Sequence, residues 1–160
     1  LRESDLPLEE CRLTLNFLGC PNSCGAHWGA DLGFSGKALR GNNTLYPGYM
    51  IVAGAKSGAV GARLARSVGE VSARDLPDAV VQILRRYLAR GGAYDSFADY
   101  LDQGGEHEMR RVCQGYEQIP RIDEDRAYYT DWDSDEVFSL AGRGQGEWIV
   151  DPKYWTARAA

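Results

Sequence analysis

Two cysteines that lie four positions apart are the residues of this chain best suited to metal chemistry. The hexapeptide Cys20-Pro21-Asn22-Ser23-Cys24-Gly25 carries both thiols at the end of an apolar alternating run. Pro21 fixes its own φ, and the small Ser23 and Gly25 let a bulky group approach closely. Cysteine thiolates are the usual ligands of iron–sulfur clusters, and four of them complete a typical shell. The spacing predicts two ligands of a metal centre, with structural thiols as the alternative that spacing alone leaves open.

Two other kinds of metal site fit these cysteines less well. A zinc site would combine Cys20, Cys24 and His27 with Cys11 as its fourth ligand. Cys11 precedes Cys20 along a predicted strand, which places them roughly 30 Å apart at about 3.3 Å per residue unless the chain reverses. A radical-SAM cluster motif needs a third cysteine at the position of His27. An iron–sulfur site therefore remains the favoured metal interpretation.

The cysteine turn lies between two predicted strands. Alternating apolar and polar residues over 11–18 predict a strand that ends at Gly19. Residues 26–30 fit a short helical turn, and residues 31–37 fit a second short strand. The composition of the segment 41–43 is typical of a loop.

The middle of the chain continues with an apolar strand and a glycine-rich turn. Residues 49–53 predict a buried strand, and residues 54–61 predict a turn with little side-chain bulk. Residues 63–71 leave extended and weakly helical structure both open. We expect antiparallel or mixed strands, covered by the helix that follows.

A helix over 72–90 is the most strongly patterned element of the sequence. Ser72 is the predicted N-cap, and Asp75 occupies the capping-box position. Apolar residues recur at helical spacing as far as Arg90, and Gly91-Gly92 are expected to end the helix. Cys113 lies on a later helical pattern and is expected to be a buried small hydrophobe.

Beyond Gly92 the chain changes in character. Residues 94–101 and 106–116 predict two short helices separated by Gly104-Gly105. From Ile119 onward, aromatic and acidic residues predict an irregular segment that wraps over another part of the molecule.

Composition narrows the possible partners. The 160 residues are 44% hydrophobic, which suits a packed domain, and the net charge is −5. Because there is no basic tract, we expect no nucleic-acid partner. We also expect no membrane association and a cytoplasmic location, since no apolar stretch approaches about 20 residues and no leader pattern is present.

The segment around the cysteines resembles the second cysteine pair of the sirohaem and iron–sulfur sulfite/nitrite reductases. The resemblance begins with Phe17-Leu18-Gly19-Cys20-Pro21-Asn22-Ser23-Cys24-Gly25 and continues in Ala30-Asp31-Leu32-Gly33-Phe34-Ser35-Gly36. Further similar passages are 49–58, the helix from Ser72, 91–97, 128–132 and 138–144, so that the resemblance covers about residues 11–147.

This resemblance implies an α/β (α+β) fold like the 4Fe-4S domain of those reductases, with a layered sheet, covering helices and an irregular C-terminal tail. It divides the chain into a cofactor-binding half-domain over 1–92 and a helical and irregular extension over 93–160. The extension is expected to pack on the half-domain or on a partner chain.

The resemblance also implies roles for the residues of the turn. Cys20 and Cys24 would be the second pair of ligands of a [4Fe–4S] cluster, and Cys24 would bridge the cluster to the iron of sirohaem. Asn22 would donate a side-chain hydrogen bond near the cofactors, while Ser23 and Gly25 would line them through the backbone.

A polycarboxylate macrocycle such as sirohaem also needs cationic partners. The candidates are Lys56, which we place in the cofactor site, together with Arg40 and Arg63. For each of them an ordinary solvated surface charge is the alternative.

The implied activity is the multi-electron reduction of a small inorganic anion, sulfite to sulfide or nitrite to ammonia, by an oxidoreductase component with a ferredoxin-like electron donor. The first cysteine pair and the anion site of the family are expected on a second polypeptide, so we expect no activity from this chain alone. An excised domain and a homodimer that shares one cluster are the other two explanations. A cofactor-less accessory or interaction module of the same fold, in sulfur metabolism, is the alternative function.

Overall fold

A four-stranded mixed β-sheet with packed helices gives the protein an α/β architecture. The computed structural model describes residues 5–7, 12–90 and 93–141. The strands are β1 (Leu15–Leu18), β2 (Leu32–Gly41), β3 (Thr44–Ala53) and β4 (Arg66–Ser72), and they lie in the order β1-β2-β3-β4. β1 is parallel to β2, and the other two pairs are antiparallel. The prediction of a mixed sheet is confirmed.

The β2–β3 hairpin is longer than the sequence pattern predicts. Asn42 and Asn43 form its two-residue turn with φ values of 51° and 61°, as a tight turn between right-twisted strands requires. The predicted loop therefore shrinks to this turn. β3 begins at Thr44 and contains Pro47, which lies just before the first residue of β3 that pairs with β4, Gly48. A proline without an N–H group is tolerated where ladder pairing stops.

The main helix begins later than predicted. Helix α1 spans Leu76–Leu88, and Ser72 is the last residue of β4 rather than the N-cap. Its hydroxyl still accepts a hydrogen bond from the Asp75 N–H at 3.0 Å and donates one to the Asp75 carboxylate at 2.7 Å. The Ser–Asp signal therefore marks the turn that leads into the helix. The predicted stop at 91–92 lies outside the described residues.

The two predicted short helices are joined by an irregular helical turn. Helix α2 covers Phe97–Tyr100, a π-helical turn covers Leu101–Gly105, and helix α3 covers Glu106–Gln114. Gly104 adopts a φ of 107°, which a residue with a side chain rarely adopts. The predicted glycine break is thus a kink within continuous helical structure. A 3₁₀-helix over Arg126–Tyr129 follows in the tail.

One hydrophobic core joins the sheet to the helices. It includes Leu32, Phe34 and Ile51 from the sheet, Ile83 from α1 and Met109 from α3, all of them fully buried. A smaller cluster packs Tyr129 of the tail against Leu39 and Tyr46 of the hairpin. Residues on both sides of position 92 contribute to the main core, and the division into two domains remains a prediction. Among the described residues, no helix is long and apolar enough to cross a bilayer.

Cys113 is buried in this core, as predicted, and it packs directly on β4. A Cβ atom at Gly69 would lie 2.4 Å from the Cys113 Cβ and 2.6 Å from its Sγ. We therefore expect Gly69→Ala to lower the free energy of unfolding by about 1–3 kcal/mol through overpacking. Chemical denaturation followed by circular dichroism measures the change.

Gly29→Ala is the matched control, because no atom lies within 4 Å of the Cβ position there. Placing Gly69→Ala in a Cys113→Ala background should recover part of the loss, because the Sγ contact disappears while the Cβ contact remains. Equal stabilities for Gly69→Ala and the wild type would contradict the close packing of α3 on β4.

Candidate metal and cofactor site

The cysteine turn belongs to the connection between the parallel strands β1 and β2. In a parallel pair the chain must return along the sheet before the second strand begins, and here Leu15 pairs with Leu32 while Leu18 pairs with Ser35. Residues 19–31 make this return, with a 3₁₀-helix at His27–Gly29. Cys20 and Cys24 lie in its first part, and both are exposed free thiols. The topology therefore places two accessible sulfurs beyond the carboxyl end of β1.

Local backbone geometry bends the turn tightly. Ser23 and Ala26 both have positive φ, at 59° and 52°, an uncommon conformation for residues with side chains. The Ala26 N–H donates to the Ser23 carbonyl oxygen at 2.8 Å, which closes the turn around Cys24. Backbone strain of this kind persists only where surrounding contacts hold it.

Asn16 supplies one of those contacts, and sequence reasoning did not single it out. Its side-chain Nδ2 donates to the carbonyl oxygen of Gly25 at 2.8 Å and lies 3.4 Å from that of Ala26. Asn16 occupies a polar position in the alternating pattern of β1, where an amide that can cap nearby carbonyl groups is the only available signal. It ties the Cys24 side of the turn to β1.

Glycines of β2 allow the turn to lie directly on the sheet. A Cβ atom at Gly36 would be 2.4 Å from the Gly19 carbonyl oxygen, and one at Gly33 would be 2.1 Å from that of His27. Both distances are far below normal contact, so the backbone of the connection occupies the space that side chains would need. The spacing of these two glycines fixes where both ends of the cysteine turn rest.

His27 is packed inside the protein, whereas both cysteines are exposed. Its side chain is fully buried, and neither ring nitrogen has a hydrogen-bond partner in the part of the chain that the structure describes. The ring lies 5.3 Å from that of Trp28. The geometry therefore does not support the zinc alternative, in which His27 would join the two thiols.

A groove of about 580 Å³ opens beside Cys20. Cys20 and Pro21 line it on one side, Tyr49 and Met50 of β3 contribute further lining, and Trp132 of the tail lines it as well. Cavities of this volume with mainly apolar and aromatic walls are typical of small-molecule and cofactor sites. The groove gives the cysteine turn an apolar neighbour suited to a bulky group.

The three candidate cations lie apart from this groove. Lys56 pairs with Asp99 at 3.2 Å, and the hydrogen bonds from Ser96 and Lys56 lower the pKa of that carboxyl. Arg63 donates to Asp102 at 2.8 Å, which lowers the pKa of the Asp102 carboxyl, and also to two backbone carbonyl groups.

Lys56 and Arg63 line a second cavity of about 370 Å³ together with Gly29. Arg40 is exposed near the turn of the β2–β3 hairpin and lines a third cavity. The structure thus brings Lys56 and Arg63 together and leaves Arg40 separate.

The described residues provide two of the four thiolates that a cluster needs. No group of three or more potential metal ligands occurs within residues 5–7, 12–90 and 93–141, and Cys11 lies outside these ranges. The two accessible thiols and the adjoining groove fit half of the implied ligand set.

Comparison with known proteins places this geometry beside two redox enzymes. No family model matches the chain. It is 28% identical over 102 residues to a ferredoxin sulfite reductase of Mycolicibacterium paratuberculosis, covering 61% of this chain and 18% of that protein. It is 34% identical over 82 residues to a ferredoxin–nitrite reductase of Synechococcus elongatus, covering 51% and 15% respectively. The chain thus spans less than a fifth of either relative, and the similarity supports a relationship to the ferredoxin sulfite/nitrite reductases.

The different environments of the thiols predict different reactivities. Burial raises the pKa of Cys113 to about 11, and only the thiolate is nucleophilic. In a Cys11→Ser variant at pH 8, we expect Cys20 and Cys24 to react readily with a disulfide reagent. Cys113 should react roughly 100-fold or more slowly, because two pKa units correspond to that loss of thiolate.

Mass spectrometry of the labelled peptides separates the sites, and unfolding in guanidinium provides the control in which all the thiols react. A native Cys113 that reacted as fast as Cys20 would contradict its packing against β4.

Proposed function

We propose that this chain is the cofactor-binding component of a sirohaem–[4Fe–4S] reductase that converts sulfite to sulfide or nitrite to ammonia. The observation that carries the proposal is the pair of exposed thiols, Cys20 and Cys24, on a strained turn between parallel strands. Two similar proteins that are named as ferredoxin sulfite and nitrite reductases support the same reaction class.

Cys20 and Cys24 would hold the metal centre as thiolates. Both sulfurs are accessible without displacement of the core, and the ligating form of cysteine is the thiolate. Bound together, a cluster and a sirohaem supply a store of electrons beside the iron that binds the substrate. Cys24 would be the thiolate shared by the two groups.

Other residues of the turn would shape the surroundings of the cofactors. Asn22 is exposed on the same turn, where its amide can donate a hydrogen bond to a bound group. Ser23 and Gly25 would border the cofactors through their backbone, and Asn16 would fix that backbone through its bond to the Gly25 carbonyl oxygen. Such outer hydrogen bonds orient ligands and tune a metal centre.

Lys56 is proposed to face a carboxylate of the macrocycle. Its ammonium group is about two-fifths exposed and pairs with Asp99, so binding would require it to share or exchange that partner. The neighbouring Arg63 is held by Asp102 and by backbone carbonyl groups. This arrangement favours Lys56 as the more adaptable of the two cations.

The remaining cluster ligands and the anion site are proposed to come from a second polypeptide. This proposal rests on the ligand count, because the described residues contain no group of three or more potential ligands. A ferredoxin-like protein is the proposed electron donor, since the names of both relatives include ferredoxin. The cytoplasm is the proposed location.

Anaerobic reconstitution tests this function. We expect the chain, co-expressed with the products of neighbouring genes and supplied with iron and sulfide, to gain cluster and sirohaem absorption bands that it lacks alone. Cys24→Ser should lower the bound iron by roughly tenfold or more, because it removes a ligand of the cluster.

Cys113→Ser is the matched control, since that thiol is buried in the core and its loss should perturb packing while leaving the iron content unchanged. A folded protein that stayed colourless and iron-free in every combination would contradict the cofactor proposal and favour the accessory-module alternative.

A further inference from the structure

The groove beside Cys20 has one wall that does not belong to the sheet. We define the strap as residues 126–141, which follow the sheet and helices in the chain. Trp132, Phe138 and Leu140 of the strap line the groove opposite residues of β2 and β3. Trp132 is 58% exposed and Leu140 is 49% exposed. Two large apolar side chains thus line a groove without being buried by it, which marks a candidate binding surface.

Few backbone contacts hold the outer part of the strap. Thr130 and Val137 form an isolated bridge, and the Phe138 N–H donates to the Tyr129 carbonyl oxygen at 2.7 Å. Tyr129 is fully buried and anchors the start of the strap on the β2–β3 hairpin. Segments with so few ladder bonds open at lower free energy than the core.

Arg74 connects this wall to the turn before α1. Its Nε donates to the Ala127 carbonyl oxygen at 2.7 Å, and its guanidinium carbon lies 4.1 Å from the centre of the Trp132 ring. The same guanidinium reaches the Thr130 hydroxyl at 3.4 Å. The next residue, Asp75, accepts a hydrogen bond from Tyr128 at 2.7 Å. Arg74 therefore orients both the backbone of the strap and its most exposed aromatic ring.

The composition of the groove selects the class of ligand. Gly36 and Gly48 contribute only backbone to its lining, and Pro21, Met50 and Trp132 contribute apolar side chains. Flat ring systems gain most from such surroundings, because they stack on aromatic faces and bury large apolar areas.

We propose that the groove is a binding site for a flat, largely apolar ligand, and that the strap is its movable wall, with Arg74 as the positioning residue that latches the wall in place. This inference goes beyond the proposed function, because it requires no metal at the thiols. A ligand that contacts Trp132 binds the latched arrangement best, so binding and strap closure are coupled.

Hydrogen exchange of the full-length, metal-free chain, measured by NMR with and without Nile red, tests the proposal. Nile red serves as a flat, neutral and fluorescent probe. In the wild type, we expect Nile red to bind and to slow exchange of the Phe138 amide. Arg74→Gln should speed exchange of the Phe138 amide and weaken Nile red binding, each by roughly tenfold, because it removes the cation–π contact and two hydrogen bonds.

Trp132→Ala is the second variant, since it removes the wall while leaving the hydrogen bonds of Arg74 intact. It should weaken Nile red binding with a much smaller effect on the Phe138 amide. Arg121→Gln is the matched control, because that arginine lies in the same part of the chain and its side chain pairs with Asp123; it should behave as the wild type. Exchange of the Ile83 amide in α1 reports global stability and should stay constant throughout.

Nile red binding of equal strength to the wild type and Trp132→Ala would overturn the site. Phe138 exchange that responded neither to Arg74→Gln nor to Nile red would overturn the latch. Either result is independent of whether iron binds at Cys20 and Cys24, so it leaves the proposed function to its own test.

Discussion

The parallel pairing of β1 with β2 is the constraint on which the candidate site depends. Because parallel strands cannot be joined by a tight turn, residues 19–31 must travel back along the sheet, and the two cysteines lie on that return path. Gly33 and Gly36 make the path possible, since each gives up its side-chain space to a carbonyl group of the connection. Without these two close contacts the turn could not rest on β2.

The strain of the cysteine turn is balanced by contacts from the sheet. Positive φ values at Ser23 and Ala26 are unfavourable for residues with side chains, and the amide of Asn16 compensates by binding the carbonyl group that follows Cys24. The buried ring of His27 packs beneath the same connection. The thiols are thus exposed while the backbone that carries them is fixed, which is the arrangement that a metal ligand needs.

The sequence pattern located most elements and misplaced some of their ends. The strand before the cysteines, the strand over 49–53 and the main helix were all predictable, because apolar periodicity reports which face is buried. Ser72 was assigned to the start of the helix, but it ends β4. A serine followed by an aspartate three residues later stabilises the turn before a helix as well as its first residue. β4 was left undecided, since its short alternating segment becomes a strand only through its pairing with β3.

By itself, the sequence determined that two thiols stand on a tight turn after a strand, that Cys113 is buried, and that the chain resembles the sulfite/nitrite reductases. These properties follow from local residue types and short-range periodicity. Only the tertiary structure decided that Trp132 lines a groove beside Cys20, that Arg74 holds this ring, and that Lys56 and Arg63 lie apart from Arg40. Those contacts join residues far apart in the chain, so their geometry depends on how the sheet, the helices and the strap pack together.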